Sequence, residues 1–297
     1  MRYIIVGYGN IGHKRQAVLG KKCVATVDPD KKVKAIYKSH TDVPLEIFDA
    51  AVLTVPQEFK NELVKYFLSK GKHVLVEKPL LVTKKQADVF KKLAKKNKVI
   101  WHTSYNHRFE PNIVKINKLL NANKIGKLYH AKLVYSFGNI KERIGTWRET
   151  ENGVLEEIAP HVIDFTMMFF GYRGIDFKPL IARKVESNII DHWVFATKDN
   201  RVMIETSSVT WKNVFSIDIY GELGSIHMYG LNKWGGSDLF VRKRIFPSGI
   251  PKENKYHTSP PDLTWVKDFR YFQKMVRENK NSYSSDLEMS KAIANIT

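Results

Sequence analysis

The sequence predicts an α/β protein: an N-terminal Rossmann domain with a doubly wound parallel sheet, then a C-terminal α+β domain with a large, open, mainly antiparallel sheet. Three observations lead there. Short apolar runs alternate with amphipathic segments of about a dozen residues, the pattern of βαβ units, over roughly the first 120 positions. A glycine-rich turn, Gly7-Tyr8-Gly9-Asn10-Ile11-Gly12, joins the first run to the first amphipathic segment. Beyond Lys127 the runs lengthen and alternate apolar with polar residues, as in a mixed or antiparallel sheet. The 297 residues therefore divide into 1–120 and 121–297.

Each element follows from its own signals. Residues 2–6 form a buried strand that runs into the glycine turn, and 11–19 a helix that stops at Gly20. Residues 23–27 are a second strand, closed by Asp28-Pro29-Asp30, and 33–37 are a short helix. A strand at 50–55 ends at Pro56, and the amphipathic helix 58–70 ends at Gly71. The strand 73–76 stops at Glu77-Lys78-Pro79; a helix at 84–96 and a strand at 99–105 complete the alternation. Further strands are expected at 128–137, 181–184, 192–197, 202–210, 215–220, 225–229 and 239–242, with a helix at 161–170 between the first and the rest. Residues 247–261, rich in Pro, Ser and Lys, read as a loop, and 262–279 as a late amphipathic helix.

The formal net charge is +19 and the pI near 9.7. Nucleic acid is not expected as the partner, because lysine outnumbers arginine and is spread over helix faces, as in Lys84-Lys85, Lys91-Lys92 and Lys95-Lys96. The charge fits a solvated surface or an anionic substrate. Cys23 is the one cysteine, so no intrachain disulfide can form; it reads as a buried packing residue of a chain in a reducing, cytoplasmic compartment. The longest apolar run, 165–170, is far short of the ~18 residues of a membrane span. The apolar start ends at Gly7, too short for a signal-peptide core.

Three motifs carry chemistry. In the first, the glycines at 7, 9 and 12 allow a tight turn and close backbone approach to a pyrophosphate, and Asn10 and Ile11 open a helix whose N–H groups face it. Asp28 ends the next strand, about 20 residues on, where a carboxylate accepts hydrogen bonds from a ribose diol and repels a 2′-phosphate. The expected cofactor is NAD rather than NADP. The second motif is Gly71-Lys72-His73-Val74-Leu75-Val76-Glu77-Lys78-Pro79. It puts Lys78 at the carboxyl end of a parallel strand, the ligand edge of such sheets; taken alone, a surface lysine is the commoner reading. The third runs from Gly153 to Asp164. Pro160 suits a first helical position, which sets His161 in the first turn and Glu157 just ahead of it. The helix dipole there disfavours imidazolium, leaving the neutral ring a general base needs. By itself His161 also reads as a structural histidine.

Together these motifs resemble the glucose–fructose oxidoreductase, inositol dehydrogenase and MocA family (Gfo/Idh/MocA). Further markers are Leu53-Thr54-Val55-Pro56, Tyr105-Asn106-His107-Arg108-Phe109, Trp147-Arg148 and Gly221-Glu222-Leu223-Gly224-Ser225. The resemblance implies cofactor contacts at Gly7, Gly9, Asn10, Ile11, Gly12, Asp28, Thr54, Pro56, Glu77, Lys78, Asn106, Trp147 and Arg148. It implies that Lys78 and His161 face the nicotinamide, and that the open sheet forms homodimers or homotetramers. Two departures stand out. Glu157 replaces the family's usual aspartate, and a histidine common in the helix after the Thr-Pro strand is replaced by Lys60 or a neighbour.

The function expected is hydride transfer between nicotinamide and a hydroxyl or carbonyl of a sugar, nucleotide-sugar or cyclitol, a small molecule for which an anionic group is one alternative. His161 takes the hydroxyl proton and Lys78 polarises the same oxygen. Glu157 orients either group or binds a neighbouring hydroxyl. Trp147-Arg148 closes over the nicotinamide, and Arg108 and Arg148 are candidates for substrate anions. Asp164 is a supporting partner or a plain helix residue. No metal is expected. The alternatives are a reductase of a non-sugar carbonyl, imine or tetrapyrrole, and a non-catalytic dinucleotide-sensing protein.

Overall fold

The computed structural model describes residues 1–146, 149–150, 152–171 and 175–297. They form two compact units, Met1–Asn106 with Trp265–Ser290, and His107–Thr264 with Lys291–Thr297. The boundary thus falls before 120, and the chain returns to the first unit near its end.

In the first unit β1 (Tyr3–Val6) leads through the glycine turn to α1 (Asn10–Leu19), then β2 (Cys23–Val27), β3 (Ala50–Leu53), α2 (Gln57–Ser69), β4 (His73–Glu77), α3 (Lys84–Asn97) and β5 (Trp101–Ser104). The strands are all parallel, in the order β2-β1-β3-β4-β5. Alternate side chains enter opposite cores. Ile4, Val6, Leu53, Val74 and Val76 pack with Val64 and Phe67 of α2 and Phe90 of α3, whereas Tyr3, Ile5, Val52 and Leu75 face the other way. Each such fully buried aliphatic or aromatic side chain contributes ~1.5–3 kcal/mol.

The helix expected at 33–37 is absent. Tyr37 instead makes an isolated parallel bridge to Val27, with Tyr37 N–H donating to Thr26 O at 3.0 Å and Asp28 N–H to Tyr37 O at 3.1 Å. Tyr37 lies at the free edge of β2, in the place of a further strand. Cys23 is half-buried rather than buried.

The second unit begins with α4 (Pro111–Asn121) and β6 (Leu128–Ser136), continues with α5 (Val154–Glu157) and α6 (Ala159–Phe170), and then runs through β7 (Phe177–Arg183), β8 (His192–Thr197), β9 (Val202–Ser207), β10 (Val214–Gly221), β11 (Gly224–Tyr229), β12 (Ser237–Ile245) and β13 (Gly249–Thr258). The eight strands order as β13-β12-β11-β10-β6-β9-β8-β7; β6 and β9 are parallel and every other pair is antiparallel. The loop expected at 247–261 is largely the strand β13. It is an edge strand exposed almost throughout, so it needs no apolar alternation. Helix α6 packs against β6 and β9, over residues such as Leu133, Ile204 and Phe215.

Two helices close the chain, α7 (Thr264–Glu278) and α8 (Tyr283–Ile296). Phe269, Phe272 and Met275 of α7 complete the core that Tyr3, Ile5, Val52 and Leu75 begin, which is why this part belongs to the first unit. Among the described residues no helix is long and apolar enough to cross a membrane.

Candidate active site

The three glycines of the turn do different work. Gly7 has φ +90, and a Cβ there would stand 2.7 Å from the Thr54 carbonyl oxygen; a Cβ on Gly12 would stand 2.4 Å from the Gly7 carbonyl oxygen. Both keep the turn tight against β1 and β3. A Cβ on Gly9 would meet no protein atom within 4 Å. Its backbone is therefore open to a ligand. Gly9 also caps α1 with no side-chain hydrogen bond, and the first turn holds no acidic residue, so the N–H groups at Asn10, Ile11 and Gly12 suit an anion.

Asp28 is fixed before any ligand arrives. Its Oδ2 accepts the Tyr8 N–H at 2.7 Å and its Oδ1 the Asp30 N–H at 3.0 Å. Each oxygen retains a further lone pair, which is what a ribose diol requires. Thr54 turns its hydroxyl inward to the Gly7 carbonyl and so braces the turn. Pro56 starts α2 at its N-cap. These residues fit a dinucleotide along the carboxyl ends of β1 and β3.

Arg15, a cation on the helix that follows the glycine turn, is not available to a 2′-phosphate. It is 1% exposed and donates to Glu77 Oε1 at 2.8 Å, to Asp268 Oδ2 at 2.9 Å and to Ser104 Oγ, with Trp265 stacked 4.6 Å from the guanidinium. Burial opposes its charge, but the two carboxylates outweigh burial and raise its pKa. Glu77 is thereby committed to holding α1 against the end of β4, and Lys78 follows it directly, half-buried. Asn106 is buried in the 3₁₀ turn after β5.

In the second unit His161 is 5% exposed on α6. The segment before it is already helical, α5 running through Ile158 in the αR region, so His161 N–H is satisfied by Ile158 O at 3.1 Å. Its environment owes less to a bare helix terminus than to its neighbours. The His107 ring stacks on it with centroids 4.1 Å apart and planes at 25°, and the Tyr135 ring lies 5.9 Å away. His107 Nε2 lies 3.3 Å from the Tyr135 hydroxyl and 3.2 Å from Lys233 Nζ, and Lys233 donates to the Tyr135 hydroxyl at 2.5 Å. Burial raises the Tyr135 pKa, so it stays a neutral phenol.

Glu157 is ion-paired to Arg143, whose Nη2 donates to Oε1 at 2.9 Å. Arg108, read as a candidate for a substrate anion, forks onto Asp164 instead, Nε to Oδ2 at 2.6 Å and Nη2 to Oδ1. Burial pushes the Asp164 carboxyl up and Arg108 draws it back only in part. Asp164 is thus a charge partner and not a plain helix residue. Trp147 and Arg148 lie outside the described residues. Sequence reasoning missed His107 as a partner of His161, together with Tyr135, Lys233 and Arg143. His107 alone carried a signal, its place in the Tyr105–Phe109 marker. Among the described residues no group of three or more His, Cys, Asp or Glu is arranged to hold a metal ion.

Comparisons with known proteins agree with the fold. Residues 1–105 match the Gfo/Idh/MocA family, described as an oxidoreductase family with an NAD-binding Rossmann fold. The oxidoreductase YdgJ of Escherichia coli (strain K12) is 26% identical over 252 residues, 78% of this chain and 72% of that protein. The scyllo-inositol 2-dehydrogenase (NADP(+)) IolW of Bacillus subtilis (strain 168) is 22% identical over 209 residues, 69% of this chain but 58% of that protein. Levoglucosan dehydrogenase, solved with NADH, superposes with a TM-score of 0.83 at 15% identity, covering 100% of this chain and 95% of that one.

Proposed function

We propose that this chain, whose residues 1–105 match the Gfo/Idh/MocA family of NAD-binding oxidoreductases, transfers hydride between NAD(H) and a secondary hydroxyl, or the matching carbonyl, of a sugar, nucleotide-linked sugar or cyclitol. The observation that carries the reading is Lys78. It stands at the residue after β4, on the carboxyl edge of a parallel sheet whose first turn fits a dinucleotide.

The roles are those that the family resemblance implies. In the oxidation direction the substrate O–H gives its proton to His161, and Lys78 donates a hydrogen bond to the same oxygen as negative charge grows on it. When bound, nicotinamide supplies the acceptor for the hydride that leaves the adjoining carbon. The His107 ring stacks on the His161 imidazole, and Glu157, ion-paired to Arg143, is the group assigned to orient a reacting side chain or to bind a neighbouring substrate hydroxyl. Lys233 and the net charge of +19 favour a substrate with a phosphate or carboxylate. Asp28 favours NAD over NADP.

The test is NADH formation from NAD+ with a panel of polyols: scyllo-inositol, levoglucosan, glucose 6-phosphate, glucuronate and a nucleoside diphosphate hexose. Turnover with one or more supports the reading. Tight NAD+ binding with no turnover on any, in either direction, contradicts it and favours a dinucleotide-sensing role.

A further inference from the structure

Lys60 is a charged side chain in a place where charge is costly. It lies in the first turns of α2 and is 3% exposed. Its Nζ donates to the carbonyl oxygens of Pro79 at 2.7 Å and Lys78 at 3.2 Å. Those carbonyls follow the end of β4, where the sheet no longer supplies donors, and buried carbonyls must find them elsewhere. The same face of α2 serves the next stretch: Gln57 Nε2 and Asn61 Nδ2 both donate to Leu81 O, at 3.2 and 3.0 Å. The start of α2 thus grips residues 78–81 from one side. Two side-chain amides thus reach the Leu81 carbonyl, and one amine reaches both the Lys78 and Pro79 carbonyls.

We propose that Lys60 is a positioning residue for Lys78: its buried amine holds the two carbonyls that fix the backbone from which the Lys78 side chain projects. This rests on the catalytic reading of Lys78 given above. Burial first, then the nearby Lys78 cation, push Lys60 down to about 7, against the pull of Glu77 and Asp286. Near neutral pH the group therefore exchanges between ammonium and amine. The amine keeps two N–H donors for two carbonyls, so the grip survives loss of the proton.

The test uses the full chain with NAD+ and whichever polyol of the panel gives the fastest NADH formation, alongside amide hydrogen exchange of the 77–82 segment. Lys60→Met keeps the length and loses the donors. It should lower kcat by about tenfold or more with KM for NAD+ within about twofold of the parent, the pattern of a misplaced reacting group. Amides of 77–82 should exchange about tenfold faster while those of β5 do not change. Lys60→Arg should recover most of the loss, and Asn61→Ala should leave kcat at the parental value, because Gln57 still serves Leu81. In a Lys78→Ala background Lys60→Met should add less than about twofold. A kcat within twofold of the parent in Lys60→Met overturns the proposal, as does a loss that Lys60→Arg does not recover. If Lys60→Met does not fold, Lys60→Gln replaces it under the same limits. If Lys78→Ala itself turns over at the parental rate, the catalytic reading of Lys78 fails, and local exchange alone decides whether Lys60 holds the segment.

Discussion

The imidazoles of His107 and His161 are stacked, 4.1 Å between centroids and 25° between planes. Each ring limits the rotation of the other, and His107 is itself tied to Tyr135 and Lys233. If His161 is the proton acceptor, His161→Ala should cut turnover by about 10²-fold or more with NAD+ binding intact. His107→Ala should cut it by about tenfold, and His107→Phe, which keeps a flat ring against His161, should recover most of that. Steady-state kinetics on the three variants decide the matter; equal losses in His107→Phe and His107→Ala would mean that stacking is not what matters.

Cofactor choice turns on Asp28, which Tyr8 and Asp30 hold in place. A fixed carboxylate facing a 2′-phosphate should disfavour NADP(H) by ~1–3 kcal/mol. Asp28→Ala should narrow the gap between the Kd values of NADH and NADPH, mainly by weakening NADH. Tighter binding of NADPH by the parent chain would contradict this. Arg15 could not be the reason, since it is buried against Glu77 and Asp268.

Lys60 also predicts a pH dependence of stability. Its folded value, about 7, lies below the ~10.4 of an unfolded lysine. Between the two the unfolded chain binds more protons, so this group makes stability rise with pH across that window. Below it both states carry the charge and the burial penalty is at its full size. Lys60→Met carries no such penalty. The melting temperature of Lys60→Met minus that of the parent should therefore be most positive near pH 6 and fall toward about pH 9.5. A difference that does not vary with pH would contradict the assignment.

Much of the fold was legible in the sequence, and the exceptions have physical causes. The glycine turn, Asp28 and Lys78 follow from local grammar, because a parallel sheet brings the ends of its strands to one edge. The vestigial strand at Tyr37 was misread as a helix because one bridge leaves no periodicity. Strand β13 was misread as a loop because an exposed edge strand buries nothing. The return of α7 to the first unit lies in Phe269 and Phe272, whose partners Tyr3 and Ile5 are at the other end of the chain. The same is true of Arg15 and Asp268. Spacing cannot announce pairings that only the tertiary fold makes.

Assembly is a further expectation. Helix α6 covers one face of the second unit's sheet. Cross-strand register sets Met203, Tyr220, His227, Tyr229 and Phe240 on the other face, among Lys132, Glu205, Asp218 and Arg242. Met203, Tyr220 and Tyr229 are 37, 40 and 46% exposed, a mixed aromatic and charged surface of the kind that pairs about a two-fold axis. Sedimentation at micromolar concentration should show a dimer or tetramer, and a Met203→Lys, Tyr220→Lys double variant should shift it toward monomer. A parent chain that sediments only as monomer would refute this.

Lys78 offers the most direct test of hydride transfer at this site. With NAD+ and the most active polyol of the panel, Lys78→Ala should lose about 10²-fold or more in kcat, the scale of losing a donor to the developing oxyanion. Its Kd for NADH, followed by fluorescence, should stay within about twofold of the parent, because the phosphates rest on the turn at Gly7, Gly9 and Gly12 and not on this side chain. Near-parental turnover in Lys78→Ala would contradict the account.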